Sequence, residues 1–211
     1  VDINYGSFRT ATDVLTLALE EGGVKVANTI EILDVVYTVT DPKLEDLEPH
    51  QPWADIEFED RISLEVRNPG NAWKALPEVW EPMMEKHYGA DEPGYKTFSY
   101  TYNERMTCQL RDILNELKTN PNSREAYLAI WNPVLDPFRI GRRRIPCTLG
   151  YQFFLRNGEL QLTYLQRSCN FKKHYQDDVY LARKLQEWVA KEIKVTPGVF
   201  SHWIGSLHTF V

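Results

Sequence analysis

Cysteine is scarce in this chain of 211 residues, with only Cys108, Cys147 and Cys169. The three show neither the paired spacing of a secreted disulfide framework nor that of a zinc site. They read as free thiols in a reducing, cytoplasmic compartment, with no metal ligand set. A basic excess is missing too. Lys+Arg total 24 against 30 for Asp+Glu, a net charge of −6. That balance argues against general nucleic-acid binding, which wants a basic face. No apolar run approaches a membrane span, and the first residues do not form a signal peptide. There is no repeat and no low-complexity linker. What is present is a hydrophobic content of 43% with 12% aromatics. That excludes a disordered chain and is enough for one domain, 1–211, with a sizeable core.

The hydrophobic pattern places the elements. Thr10 or Thr12 can cap a helix carrying Val14, Leu15, Leu17, Ala18 and Leu19, stopped by Gly22-Gly23. Thr29 to Val39 is rich in β-branched residues and reads as a strand, ended by Asp41-Pro42. The segment from Lys43 to Gly94 suggests short helices and loops. Gln109 to Leu117 has helical spacing, and Asn120-Pro121-Asn122-Ser123 is a turn. Ala126 to Trp131 reads as a buried strand. Asp178 to Ile193 is a helix with Val179, Ala182, Leu185, Trp188 and Val189 on its apolar face. Pro197-Gly198 breaks the chain before a last strand from Val199 to Phe210. The expected class is α+β, a large mixed sheet with helices packed on one side.

One stretch organises the chemistry. Arg142-Arg143-Arg144-Ile145-Pro146-Cys147-Thr148 precedes the runs Leu149 to Leu155 and Leu160 to Leu165, joined by Asn157-Gly158. Asn-Gly between apolar runs is the strongest short hairpin signal. The hairpin carries Gln166-Arg167-Ser168 back toward Cys147. A thiolate beside guanidinium groups is expected to have a lowered pKa and to act as a nucleophile, while the arginines clamp a phosphate.

Pro146-Cys147 followed by Gln166-Arg167-Ser168 resembles the thymidylate synthase signature. The likeness runs from about Thr29 to Phe210, is strongest from Gln109 onward and is thin between Lys43 and Tyr95. Pro146-Cys147-Thr148, in place of the common Pro-Cys-His, and Gly205-Ser206-Leu207-His208 look closest to the deoxycytidylate (dCMP) 5-hydroxymethylase branch. The resemblance implies a thymidylate synthase-like fold. It also implies a pyrimidine nucleoside monophosphate as substrate and a reduced folate, 5,10-methylenetetrahydrofolate, as one-carbon cosubstrate. The implied enzyme converts dCMP to 5-hydroxymethyl-dCMP through a covalent bond from Cys147 to C6.

Residue by residue, the likeness implies that Arg167, Ser168 and Gln166 bind the nucleotide, with Ser168 favouring 2′-deoxyribose. Arg124, in Asn-Pro-Asn-Ser-Arg, would reach across a homodimer to the partner's phosphate. The family's next arginine is Glu125 here. Arg139 and Arg142 to Arg144 are either a substitute for that charge or a solvated loop. Lys25 stands near the family's amino-terminal phosphate-binding residue. His208 would contact the sugar, and Asn170 replaces an aspartate; the family's nearby tyrosine is Phe210. Asp178 falls where thymidylate synthases carry the asparagine that reads uracil. A carboxylate there would accept from the amino group of cytosine. Without the likeness, Asp178 is a helix N-terminal acid beside Asp177. Glu57 or Glu59, with Glu65 a weaker choice, would handle protons and position water, and Tyr102 would help remove the C5 proton. Trp131 and Asn132 match the family's Trp-Asn pair and would line the folate pocket. Cys108 and Cys169 read as structural. Family members usually continue past this last strand and close the site with their carboxyl end, so a tail or another closure is implied. A CMP hydroxymethylase, a divergent dUMP methylase and a nucleotide-binding pseudoenzyme are the alternatives.

Overall fold

A computed structural model describes residues 3–87, 95–136 and 144–211. In chain order the elements are β1 (Ile3–Tyr5), α1 (Phe8–Gly22), β2 (Val24–Val26), β3 (Thr29–Val39), α2 (Trp53–Ile62), α3 (Pro77–Trp80), β4 (Glu85–His87) and β5 (Tyr95–Thr97). There follow α4 (Tyr102–Thr119), β6 (Tyr127–Ala129), β7 (Thr148–Arg156), β8 (Glu159–Gln166), β9 (Cys169–Asn170), α5 (Phe171–Ile193) and β10 (Thr196–Phe210). One mixed sheet runs β1-β3-β10-β8-β7-β6, with β2 paired to β3 and β9 to β10. β10 pairs antiparallel with β3 and parallel with β8, so the last strand is the centre of the sheet. The helices cover one face, as an α+β chain of this pattern requires.

The three long helices, α1, α4 and α5, each start where a side chain satisfies an early amide. Ser7, rather than Thr10 or Thr12, caps α1 by accepting from the Thr10 amide at 3.2 Å. Thr12 sits inside the helix and donates to the Phe8 carbonyl. The buried stripe is Phe8, Ala11, Leu15 and Leu19, at helical spacing, while Val14 and Leu17 face solvent. Thr101 and Glu104 form a reciprocal capping box, so α4 begins seven residues before the Gln109 expected from apolar spacing alone. Asn170 caps α5 by accepting from the Lys173 amide. That helix therefore begins at Phe171, and Asp178 lies in its third turn, beyond the reach of a macrodipole account.

The hairpin forms where Asn-Gly predicts it. Asn157 and Gly158 both have positive φ, 55° and 80°, as a two-residue turn of this kind needs. β6 is only three residues long, shorter than the strand expected over 126–131. Pro197-Gly198 does not end the chain's run. β10 already starts at Thr196 and crosses those residues through a register shift between Pro197 and Phe200. Buried Gln186 of α5 donates its amide to the carbonyls of Leu160, Gly198 and Val199, holding the irregular stretch against β8. The core lies between sheet and helices, around Tyr37, Phe153, Leu162, Tyr164, Val179, Leu185, Phe200 and Ile204. Each such side chain contributes roughly 1.5–3 kcal/mol on burial.

Candidate active site

The end of β8 meets the start of β7, and this brings Cys147 and Arg167 together. The Arg167 amide donates to the Cys147 carbonyl at 2.8 Å. The Arg167 guanidinium donates to the Pro146 and Ile145 carbonyls at 2.9 and 3.1 Å, and Nη2 lies 3.9 Å from the Cys147 sulfur. Ser168 Oγ approaches the same sulfur at 3.7 Å and accepts from Arg167 Nη1. Gly205 permits this crowding, because a Cβ there would stand 2.7 Å from the Arg167 carbonyl oxygen. That carbonyl accepts from the Ser206 amide of β10.

The sulfur opens onto a cavity of about 300 Å³ whose far wall comes from helices. Glu57 and Arg61 of α2, Tyr102 of α4, and His174, Asp177 and Asp178 of α5 line it with Cys147. Arg61 binds Glu57 at 2.7 Å and lies 4.2 Å over the Tyr102 ring. Burial alone would lower the Arg61 guanidinium, but Glu57 and the hydroxyls of Tyr151 and Tyr102 raise it on balance. It stays a fixed cation. Buried Asp60, one residue before it, accepts from Arg67 and from the Asn71 and Ala72 amides, which ties the 67–72 loop to the rim.

Burial pushes the Cys147 thiol up, and the Asp178 carboxylate pushes further. Arg167, the Ser168 hydroxyl and Arg144 pull the other way without prevailing. The lowered pKa expected from the arginines is thus reversed in the free protein. Burial and the Asp178 carboxylate together outweigh the two guanidinium groups. Cys169, buried in β9, is raised as well, with no cation to offset its burial. Cys108 is exposed on α4 and takes no part in the core, contrary to its structural assignment.

Asp178 is half-buried and lines the cavity. Burial raises its carboxyl; Gln166, His174 and Arg61 oppose the rise. Gln166 Nε2 donates to its Oδ2 at 2.8 Å. Tyr102 donates its hydroxyl to Thr148 Oγ1 at 3.2 Å, and Thr148 also meets Tyr164 at 2.9 Å. Thr148, the residue after Cys147, is therefore tied to two tyrosines.

The other residues singled out in the sequence fall elsewhere. Glu59 and Glu65 are exposed and do not line the cavity, whereas Glu57 does. Trp131 and Asn132 line a neighbouring cavity that shares Tyr100, Arg144 and Ile145 with the first. The Asn132 side-chain Oδ1 is occupied by the Val134 and Leu135 amides. Asn170 caps α5 and pairs in register with His208 on β10. Lys25 is exposed on β2, and Arg124 is exposed after the 120–123 turn. Arg139, Arg142 and Arg143 lie outside the described residues. Arg144 is described, with Trp80, Phe98 and Tyr100 each 5.3–5.5 Å from its guanidinium.

Sequence reasoning missed Arg61, whose i,i+4 relation to Glu57 was the available signal. It also missed the aromatic end of the cavity. Trp53 and Trp80 stack at 5.3 Å with planes 11° apart, beside Trp73, Val79 and Phe98. The buried Nε1 atoms of Trp73 and Trp80 have no acceptor among the described residues. A flat apolar wall of this kind fits a planar heteroaromatic ring.

Comparison with known proteins gives a consistent answer. The pattern of the thymidylate synthase family matches residues 53–211. The chain is 30% identical over 155 residues to a bifunctional dihydrofolate reductase-thymidylate synthase of Paramecium tetraurelia, covering 73% of this chain and 31% of that protein. It is 31% identical over 155 residues to the thymidylate synthase of Equine herpesvirus 2, covering 74% and 50%. A Methanocaldococcus jannaschii protein that bears the thymidylate synthase name provisionally is 26% identical over 187 residues, covering 87% and 76%. The chain thus spans a third to a half of two of these relatives and three quarters of the third.

Proposed function

Because the chain belongs to the thymidylate synthase family, we propose that it transfers a one-carbon unit to C5 of a pyrimidine nucleoside monophosphate, with dCMP as substrate and 5-hydroxymethyl-dCMP as product. Asp178 carries the base assignment. Its carboxylate faces the cavity of Cys147 and already receives an N–H from Gln166. Cytosine presents an amino donor at N4 and an acceptor at N3, whereas uracil presents an N–H at N3 and an acceptor at O4. A carboxylate accepts from N4 and can stabilise a protonated N3. A base seated there would also screen Asp178 from the sulfur, easing the thiol toward thiolate.

In this reading Cys147 Sγ bonds to C6 and the C5=C6 electron pair shifts to C5. Arg167 and Ser168 hold the phosphate beside the sulfur. 5,10-Methylenetetrahydrofolate, the family's cosubstrate, would supply the one-carbon unit, and the indole wall of Trp53, Trp73 and Trp80 suits its planar ring. Tyr102 assists removal of the C5 proton as tetrahydrofolate leaves the one-carbon unit, which becomes an exocyclic methylene. Glu57, positioned by Arg61, orients the water that then adds to it, and Cys147 leaves C6. His208 contacts the sugar hydroxyl. The exposed Lys25 is the weakest of the phosphate-site assignments.

A second reading, methylation of dUMP, is favoured by the names of the relatives. The test is incubation with methylenetetrahydrofolate and each of dCMP, CMP and dUMP, reading products by mass. We expect 5-hydroxymethyl-dCMP. Thymidylate from dUMP, with dCMP unchanged, would replace the cytosine reading by the uracil one. No product from any nucleotide would favour a binding protein without turnover.

A homodimer belongs to the same proposal. On the sheet face away from the helices, Trp203 sits in register with Val36 and Leu165. Exposed Leu33, Val36 and Tyr127 extend this apolar face, and Arg124 lies near its edge through the Gln152 contact to its carbonyl. Mixing inactive Arg124→Ala and Cys147→Ala chains should restore part of the activity. A strictly monomeric protein in sedimentation would remove the idea.

A further inference from the structure

A line of hydrogen bonds runs inward from Asp178, away from the cavity. Gln166 Nε2 donates to Asp178 Oδ2 at 2.8 Å, so Gln166 Oε1 faces His202 Nε2 at 2.9 Å. His202 Nδ1 meets the Tyr37 hydroxyl at 2.9 Å, and Tyr37 meets the Tyr175 hydroxyl at 2.8 Å. Gln166, His202, Tyr37 and Tyr175 are all 0–1% exposed. Water cannot replace any missing partner, so the donors must be arranged consistently along the whole line.

The line can be satisfied with the His202 proton on either nitrogen, but only one choice lets Asp178 stay ionised. In the first, Tyr175 donates to Tyr37, Tyr37 donates to bare Nδ1, and His202 Nε2–H donates to Gln166 Oε1. The Gln166 amide then donates to Asp178, which is a pure acceptor. In the second, every donor is reversed. His202 carries its proton on Nδ1, Gln166 turns its carbonyl toward Asp178, and Asp178 must itself be protonated. With that proton directed at Gln166, Asp178 keeps only a neutral carbonyl oxygen for the base and loses the charge that would accept strongly from N4 and support a protonated N3.

We propose that His202 is a specificity-determining positioning residue: its Nε2–H tautomer fixes the Gln166 amide as donor and thereby leaves Asp178 an ionised acceptor toward the pyrimidine. The imidazole stacks on Tyr164 at 4.5 Å with planes 15° apart, which fixes the ring edge toward Gln166. Burial pushes its pKa down to about 3, so the ring stays neutral and one nitrogen always lacks a proton. Among the described residues no carboxylate touches it. Its neighbours are the Tyr37 hydroxyl, the Gln166 amide and the rings of Tyr164, Tyr175 and Phe200.

This inference rests on the cytosine reading of Asp178, but its first test does not. Nitrogen-15 NMR of the free protein distinguishes a protonated ring nitrogen from a bare one and should show His202 as the Nε2–H tautomer. The Nδ1–H tautomer would overturn the proposal whichever base is preferred. The second test is the ratio of kcat/KM for dCMP over dUMP. His202→Phe removes the donor and should lower that ratio about tenfold. His202→Gln, whose amide can stand in for Nε2–H, should keep it within about twofold. A folded His202→Phe protein with the wild-type ratio would sink the link to specificity. Should His202→Phe fail to fold, loss of the ratio in a folded His202→Gln protein would do so. A wild type that prefers dUMP would refute the cytosine reading itself, leaving the tautomer measurement to judge the relay.

Discussion

The two walls of the cavity are built in different ways. On the hairpin wall, Cys147, Arg167 and Ser168 are placed by backbone. One amide-carbonyl bond joins the ends of β7 and β8, and the Arg167 guanidinium is held by two carbonyls. On the helix wall, Glu57, Arg61, Tyr102 and Asp178 are placed by one another, through an ion pair, a cation–π contact and a glutamine amide. Backbone placement survives most substitutions, because the sheet supplies it regardless of side chain. Mutual side-chain placement fails as a unit when one member goes. Cys147 should therefore be robustly positioned, and Glu57, Tyr102 and Asp178 easily disarranged.

The largest expected effect is on the hairpin wall. Cys147→Ala should lower turnover by on the order of 10³-fold or more while nucleotide binding persists, because the Arg167 cluster is untouched. Titration calorimetry alongside turnover checks this, and full activity in the mutant would end the nucleophile assignment. Next comes the helix wall. Arg61→Met strands the Glu57 carboxylate and should destabilise the fold by on the order of 3 kcal/mol, with a further fall in kcat. Denaturant melts of this variant and of Arg61→Lys would separate lost charge from lost geometry. An unchanged midpoint in both would show that the pair does not organise this wall.

Two smaller effects sharpen the comparison. Asp178→Asn should shift preference from dCMP toward dUMP by about 5- to 150-fold, since an amide can both donate to O4 and accept from N3–H. Steady-state kinetics with both nucleotides measures it. If the ratio does not move, another residue reads the base. The last concerns acid stability. His202 has a folded pKa of about 3 against an ordinary 6.5. Between those values the unfolded chain binds more protons than the folded one, so stability rises with pH and is lost as pH falls from 6.5 toward 3. From pH 6.5 to pH 5 the loss is about 2 kcal/mol. Thermal melts across that window should show a slope in the wild type and a flatter line in His202→Gln. Equal slopes would contradict a neutral buried ring.

The hairpin wall was legible in advance because its signals are local. Asn157-Gly158 sets the turn, the flanking runs set the register, and the register returns Arg167 to Cys147. The helix wall was not. Glu57 and Glu59 are two residues apart, and only the orientation of α2 places Glu57 toward the cavity and Glu59 toward solvent. Trp131 and Asn132 matched a known motif, yet the turn they begin faces the adjoining cavity.

Sequence alone determined the α+β class, β3, the β7–β8 hairpin, the meeting of Cys147 with Arg167, and the likeness to one enzyme family. These follow from side-chain periodicity and turn chemistry, which act over a few residues. Tertiary structure decided the direction of the Cys147 shift, the choice of Glu57, the Arg61 pairing and the line from Asp178 to Tyr175. Those depend on burial and on contacts between residues far apart in the chain, such as Tyr37 with His202 and Arg61 with Tyr102. The local dielectric and the pairing of buried polar groups are properties of the packed interior, so they first exist once the chain has folded.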